Sequence, residues 1–464
     1  MKKDYLAKIR EGEELSLKDQ TSLVFQLSIP AILANAASTI MGWIDSAMVG
    51  RLGSNEAASI AIVMSCMWLI HGVAVSAAAG FSVMVAQNIG AKREREARRI
   101  LNQGYIISVG FGCLLAVIGC LVARQVPVWL KGDPSLVGDA GDYFFIACAA
   151  LPVVSIGAIA EGMLRSSGDM KTPSIIFSGM CILDMLFNYL LIFPDREVFG
   201  ITIPGAGLGV KGAALGTLFA EIIAGFFFMY FLFIKSPMLH LRKGEKLVFE
   251  GDTIAKCLRI SVPVAVQSCV MTGAQVMCTR FIAPLGATAL AAHSFANTSE
   301  GICYMPGFGI QSAASTMIGQ SVGAKRKDLA YKIGWVNIAL GSGIMAVMAV
   351  VGFVFAKPIM GVFTTDAEVI ALGAKVLRIE MLAEPLFGAS IVCGGIFQGA
   401  GDATATTILN IASIWGIRVT LTAILAGRVG LAGVWIAMAV ELSIRGIIFI
   451  IRMVSKRWLN KSQI

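Results

Sequence analysis

"AQNIGAKRER", Ala86 to Arg95, and "GQSVGAKRKD", Gly319 to Asp328, each close a long apolar run with nearly the same basic phrase. The two lie 233 residues apart, and that offset recurs. It relates Pro30 of "LSIP" to Pro263 of "ISVP", Gly53 of "RLG" to Gly286 of "PLG", and Gln87 to Gln320. It also relates Gly168-Asp169 of "SSGDM" to Gly401-Asp402 of "GAGDA". Landmarks in one register over this length point to a duplicated chain. After the fifth apolar run the first copy gains "PDREVFGITIPG", so Gly212 of "VKGAA" and Gly433 of "LAGVW" are offset by 221 instead.

The composition fixes the solvent. Of 464 residues, 56% are hydrophobic and 14% charged, with mean hydropathy +0.77. An ordinary soluble domain carries about 25% charge. A chain this apolar cannot cover itself with polar groups and must lie in lipid, where a span needs about 20 apolar residues. Twelve such runs are expected, near 22–49, 56–87, 101–124, 139–163, 173–193 and 205–234, then 255–283, 287–320, 331–356, 367–397, 404–426 and 430–453. The expectation is an all-α integral membrane protein of two six-helix lobes. Its parts are an N-terminal segment (1–21), an N-lobe (22–234), a linker (235–254), a C-lobe (255–453) and a tail (454–464). Six spans is an even number, so the copies keep one orientation, related by a pseudo-two-fold axis along the membrane normal. Parallel repeats of this kind characterise transporters that rock two bundles about a central site.

The formal charge of +9 is a topology signal. Counting loops alternately, one side collects Lys2, Lys3, Lys8, Arg10 and Lys18, the cluster Lys92 to Arg99, Arg165 and Lys171, the linker bases, Lys325 to Lys332 and the tail. The other side holds a sparse set such as Arg51, Arg124, Lys131, Arg196, Lys357 and Arg428. By the positive-inside rule both termini are cytoplasmic, and no nucleic-acid partner is expected. Nine of the ten cysteines fall inside apolar runs without CxxC spacing, so they read as buried hydrophobes rather than metal ligands or disulfides. The chain lacks the "GxxxxGK[ST]" loop of ATP-driven pumps, and its three histidines are scattered. A membrane enzyme is not expected.

Among intramembrane polar residues Asp45, in "MGWIDSAMV", stands out, with no Lys or Arg within five residues. A carboxylate in hydrocarbon costs about 2.5–3.5 kcal/mol on the gentlest scale, so it faces a cavity or a partner. Such a group suits reversible protonation and can equally ligate sodium. Its repeat mate is Cys278, so the duplication supplied no second copy. Asp184 and Asn188, four apart in "CILDMLFNYLLIF", share a helical face on which their oxygens could complete a cation site. Glu300 and Glu384 are charges for a cationic substrate or partners of Arg378 or Arg418, and Gln267, one turn before Met271 in the seventh span, is a further C-lobe candidate. Arg418 lies mid-span and needs a buried partner or a cavity, while Glu441 and Arg445, four apart, are expected to neutralise each other. Pro30 and Pro263 weaken a turn in the first span of each lobe and are candidate gates.

The ordered phrases "IPAILANAASTIMGWIDSAMVGRLG", "AQNIGAKRERE", "GMLRSSGDMKTP", "LFNYLLIF" and "GLGVKGAALGT" resemble the N-lobe signatures of multidrug and toxic compound extrusion (MATE) transporters. "IGQSVGAKRKD", "IFQGAGDATAT" and "GLAGVWIA" resemble their C-lobe counterparts. The resemblance spans nearly the whole chain. It implies a twelve-helix antiporter exporting organic cations and other amphipathic compounds against protons or sodium, without a cofactor, in the plasma membrane. A monomer is expected.

The family's coupling aspartate matches Asp45 and its sixth-helix threonine matches Thr217, with sodium able to sit at Asp45 and Asn188. The family order in the fifth helix is Asn then Asp or Asn; here it is Asp184 then Asn188. NorM-type members carry a seventh-helix glutamate and a tenth-helix aspartate, where this chain has Met271 and Phe387. That pattern resembles the DinF-type branch. A lipid-linked oligosaccharide flippase of the same superfamily is the alternative, and such proteins carry a more basic cavity.

Overall fold

A computed structural model describes residues 4–130, 133–198, 201–240, 242 and 249–462. The linker bases Lys243 and Lys246, together with Lys2, Lys3 and Lys131, lie outside the described residues. In chain order the helices are α1 (Tyr5–Glu11), α2 (Leu17–Gly50), α3 (Ser54–Gly90), α4 (Glu94–Val122), α5 (Val126–Trp129), α6 (Val137–Ala149), α7 (Leu151–Ser166), α8 (Lys171–Ile192) and α9 (Val210–Tyr230). The second series is α10 (Gly251–Ile282), α11 (Ala287–Gly323), α12 (Lys327–Val354), α13 (Ala356–Phe363), α14 (Ala367–Met381), α15 (Glu384–Ala400), α16 (Ala403–Ser413), α17 (Thr420–Val429) and α18 (Leu431–Val454). Nine spans among the described residues are long and apolar enough to cross a membrane, and the bent pairs α6–α7 and α14–α15 add two. The remaining expected span, α11, has 37 residues, but His293, Asn297 and Glu300 dilute its hydropathy. The chain is a multi-pass integral membrane protein.

The two bends are 43° between α6 and α7 and 56° between α14 and α15. Hydropathy reads each pair as one run. Pro152 and Pro385, again 233 apart, explain the breaks, because proline lacks the N–H of the helical ladder and its ring crowds the preceding turn. The insertion after the fifth span is also more ordered than a loop. It forms an antiparallel hairpin of β1 (Pro194–Val198) and β2 (Ile201–Ala206), with Val198 opposite Ile201 and a bulge between Pro194 and Arg196.

The duplication is written into the backbone. Lys92 and Lys325 both sit at φ 60°, a left-handed conformation costing about 1–2 kcal/mol outside glycine. Each ends its helix in the same pair of bonds. Lys92 N donates to Ile89 O at 3.0 Å and Arg93 N to Asn88 O at 2.9 Å. Lys325 N donates to Val322 O and Arg326 N to Ser321 O, both at 2.9 Å. These are Schellman ends, which satisfy carbonyls left over by the last turn. The preceding ends of α3 and α11 cross so tightly that a Cβ at Gly90 would meet the Gln320 carbonyl, and one at Gly323 the Gln87 carbonyl. Only glycine permits this reciprocal approach.

The chain separates into two compact units. The N-unit comprises Ala36–Val85 and Glu94–Ala265; the C-unit comprises Met1–Asn35, Ala86–Arg93 and Val266–Ile464. Thus α2 and α10 each divide just beyond a proline, Pro30 and Pro263 respectively. Within the N-unit, the first half of α10 is held by Ser261, whose hydroxyl donates to Ala77 O and accepts from Gly80 N, each at 3.0 Å. Within the C-unit, the first half of α2 lays the Ile32 backbone against Gly309 of α11. All ten cysteines are free; Cys113 and Cys269 are exposed and the others wholly or partly buried.

Both chain ends pack onto the α11–α12 turn inside the C-unit. The Arg326 guanidinium donates to the carbonyls of Glu13 at 2.6 Å and of Lys8 and Ile9 at 3.4 Å, closing the end of α1. Lys327 Nζ donates to Asn460 Oδ1 at 2.8 Å, while the Trp458 ring is fully buried beside Phe397. Arg326→Gln is expected to quicken amide exchange over residues 5–13 about tenfold, as the loss of roughly 1.5 kcal/mol of charge-assisted bonding implies. Hydrogen-exchange mass spectrometry on detergent-solubilised protein checks this.

Candidate functional site

Four of the residues singled out from sequence meet in the N-unit. Asp45 lies five residues before the end of α2, where Val49 and Met48 pack with Ile192, Val210 and Ala213. Asp184 and Asn188 lie one turn apart on α8, both fully buried. The Asn188 amide donates to Asp45 Oδ1 at 2.8 Å and to Asp184 Oδ2 at 3.0 Å, so one side chain joins two carboxyls from different helices. Thr217 of α9 donates to the Ala213 carbonyl at 3.3 Å and follows Gly216, against which Asn188 packs. Asn188 Oδ1 presses on Gly216, where any side chain would displace it.

The order Asp184 then Asn188 therefore has a geometric meaning. The asparagine is the bridge, and the aspartate is the buried end. Bonded to one amide nitrogen, Asp45 and Asp184 are near neighbours. Two carboxylates so placed repel when both are ionised, and a shared proton or a small cation relieves the repulsion. Asp184 Oδ1 and Asn188 Oδ1 are buried and have no hydrogen-bond partner among the described residues. Hard oxygen donors of this kind suit sodium, and a carboxyl pair suits a proton.

Beside this cluster, α3, α6, α7 and α9 enclose a cavity of about 290 Å³. Its wall includes Thr217, Tyr143, Trp68, Met64, Met67 and Glu221. Sequence reading passed over Glu221, although it stands one turn beyond Thr217 in "GTLFAE".

The C-unit carries a separate set of buried charges. Glu441 pairs with both Arg418 (Nη2 to Oε2, 2.7 Å) and Arg445 (Nε to Oε1, 3.2 Å), and accepts from Ser413. The π-helical turn Ile414–Val419 carries Arg418 to that partner. The alternative pairings do not occur. Arg378 donates to the Phe353 carbonyl at 3.0 Å, and Arg418 is held by Glu441. Glu300 is 5% exposed and Glu384 0%; Glu380, also 0%, shares their electrostatic surroundings. All four carboxyl oxygens of Glu380 and Glu384 lack a hydrogen-bond partner among the described residues. Glu380 was legible as the residue four before Glu384, but the break at Pro385 obscures that spacing. Gln267 takes a hydrogen bond from Thr407 at 3.4 Å. Pro30 and Pro263 lie inside α2 and α10.

A family model described as MatE matches residues 30–190 and again 263–424, the second match beginning 233 residues after the first. The chain belongs to the MatE family. Among its relatives, a probable multidrug resistance protein, NorM, of Thermotoga maritima is 24% identical over 440 residues, 94% of this chain and 92% of that protein. An uncharacterized transporter of Bacillus subtilis, YisQ, is 25% identical over 450 residues, 96% of each. A crystal structure of MATE in the straight conformation has a TM-score of 0.87 at 19% identity, covering 98% of this chain and 100% of that one. A multidrug resistance MATE family transporter solved in an outward-facing conformation gives 0.88 at 19%, covering 98% and 99%. This MatE chain has the MATE fold of twelve helices in two lobes, and it is a transporter rather than an enzyme.

Proposed function

We propose that this MatE protein exports organic cations and other amphipathic toxic compounds by alternating access, driven by protons or sodium entering at Asp45, Asp184 and Asn188. The observation that carries the reading is the Asn188 amide spanning two carboxyls from α2 and α8. Net positive charge cannot be drawn from neighbours there, so a mobile cation or proton completes the site. Alternating access then requires that cation and substrate bind the two states with different affinity. Thr217 supplies an additional oxygen.

Glu300, Glu384 and Gln267 serve as charge and polar contacts in the C-lobe, joined by Glu380. Four buried glutamates there face two arginines, an acidic excess that suits cationic cargo and disfavours the basic cavity of a lipid-linked oligosaccharide flippase. Pro30 and Pro263 are the bending points of α2 and α10, since each removes a donor from its helical ladder. The two lobes (22–234 and 255–453) are joined by the linker 235–254. The protein works as a plasma-membrane monomer with both termini, 1–21 and 454–464, in the cytoplasm.

The test uses purified protein in sealed vesicles, with an imposed proton gradient and an imposed sodium gradient applied separately. One of them is expected to drive efflux of an amphipathic cationic dye. Were neither to move the dye while a lipid-linked sugar was scrambled, the flippase reading would replace this one.

A further inference from the structure

Glu221 takes part in no hydrogen bond or ion pair among the described residues, yet it sits inside a membrane span and faces a cavity. That cavity wall contains no lysine or arginine among the described residues, and its one basic side chain is the imidazole of His71, which forms no ion pair with Glu221. A charge in that position takes its partner from what enters the cavity. The rest of the wall states what kind of partner fits. Trp68, 69% exposed, and the half-buried Tyr143 offer an indole and a phenol, and Met64 and Met67 offer flexible thioethers. Aromatic faces attract cations, most strongly where water is excluded. Methionines reshape around differing apolar bodies. The volume, about 290 Å³, is that of a compact ligand.

Resting on the transport reading above, we infer that this cavity is a binding subsite for compact aromatic or quaternary monocations, with Glu221 as the anionic anchor and Trp68 and Tyr143 as the ring contacts. Asp45 and Asp184 are both engaged by Asn188, so the organic cation and the driving ion occupy different carboxyls. Thr217 lines the cavity and follows Gly216, against which Asn188 Oδ1 packs, so the two sites adjoin there. The charge of Glu221 thereby decides which cargo enters, while Asp45 decides what drives it.

A matched pair of probes tests this: the monocation N-methylacridinium and neutral acridine, titrated by fluorescence at pH 7.5 against purified protein in detergent. Glu221→Gln is expected to weaken binding of the cation at least tenfold and leave acridine within twofold. Trp68→Leu is expected to weaken the cation about fivefold and supplies a second variant should the first fold poorly. If Glu221→Gln and Trp68→Leu both hold N-methylacridinium as tightly as the parent, the inference is overturned. If instead binding follows these expectations but no gradient drives export from vesicles, the transport reading falls and the subsite stands.

Discussion

Asp45→Asn is expected to reach the membrane folded and to lose gradient-driven export by about 100-fold, down to passive leak. The reason is that a driving ion moves an equilibrium only through unequal affinity for its two states. The carboxylate at residue 45 is one of two whose mutual repulsion makes a bound proton or sodium ion favourable. With an amide there, Asp184 alone remains, already bonded by Asn188. The second charge that gave the site its dependence on the ion is gone. Stability should move the other way. Removing one of two facing carboxylates relieves repulsion, so the unfolding midpoint in detergent should match or exceed the parent's. If sodium is the driving ion, adding it should raise the parent's midpoint through binding to the folded state and leave the variant unmoved. Efflux from vesicles and thermal unfolding at several sodium concentrations measure both halves. A variant that still exports under either gradient would remove Asp45 from the mechanism.

Glu441→Gln should be the costliest substitution in the C-unit. Glu441 is fully buried and holds two guanidiniums and the Ser413 hydroxyl at once. Neutralising it leaves Arg418 and Arg445 as neighbouring like charges in a span, where breaking a buried pair from one side costs about 3–5 kcal/mol. The π-helical turn that delivers Arg418 would lose its anchor as well. The expected result is a sharp drop in yield of monodisperse protein and an unfolding midpoint many degrees lower. Replacing Arg418 together with Glu441 by leucines should recover part of the loss, since one of the two uncompensated guanidiniums is then removed and only Arg445 remains. Should Glu441→Gln prove as stable as the parent, the triad would be an incidental contact.

The apolar runs, their number and the duplication were legible because hydropathy and the 233-residue register are properties of the chain itself. The Asp184–Asn188 pair was legible for a similar reason, as i, i+4 spacing fixes a helical face before any fold is known. What a local reading missed depends on distance or on single residues averaged away. A hydropathy window passes through Pro152 and Pro385 without noticing them, so two bent spans read as straight runs. Glu380 sits beside the second bend and was lost with it. Glu221 differs from an ordinary interfacial glutamate only in the company it keeps across four helices. The division of α2 and α10 between the units has no local signature at all, because it is decided by which neighbours each half packs against.

The chemistry diverged while the frame stayed duplicated. Asp169 accepts from the amides of Lys171 and Thr172 at 3.1 and 3.0 Å and starts α8. Its repeat mate Asp402 pairs with Arg452 instead. Asp45 has Cys278 as its counterpart, buried to 7% exposure. Each lobe therefore evolved its own polar interior on one inherited scaffold, acid–amide in the first and acid–guanidinium in the second.

A rod whose ends are clamped in different bodies stores elastic energy when those bodies turn, and it yields first where its lattice is already incomplete. Pro30 and Pro263 each withhold a main-chain donor at equivalent positions of the two copies. Under the alternating access proposed above, strain released along one rod would be taken up by its twin, and cycling would need no net gain or loss of helical bonding between end states.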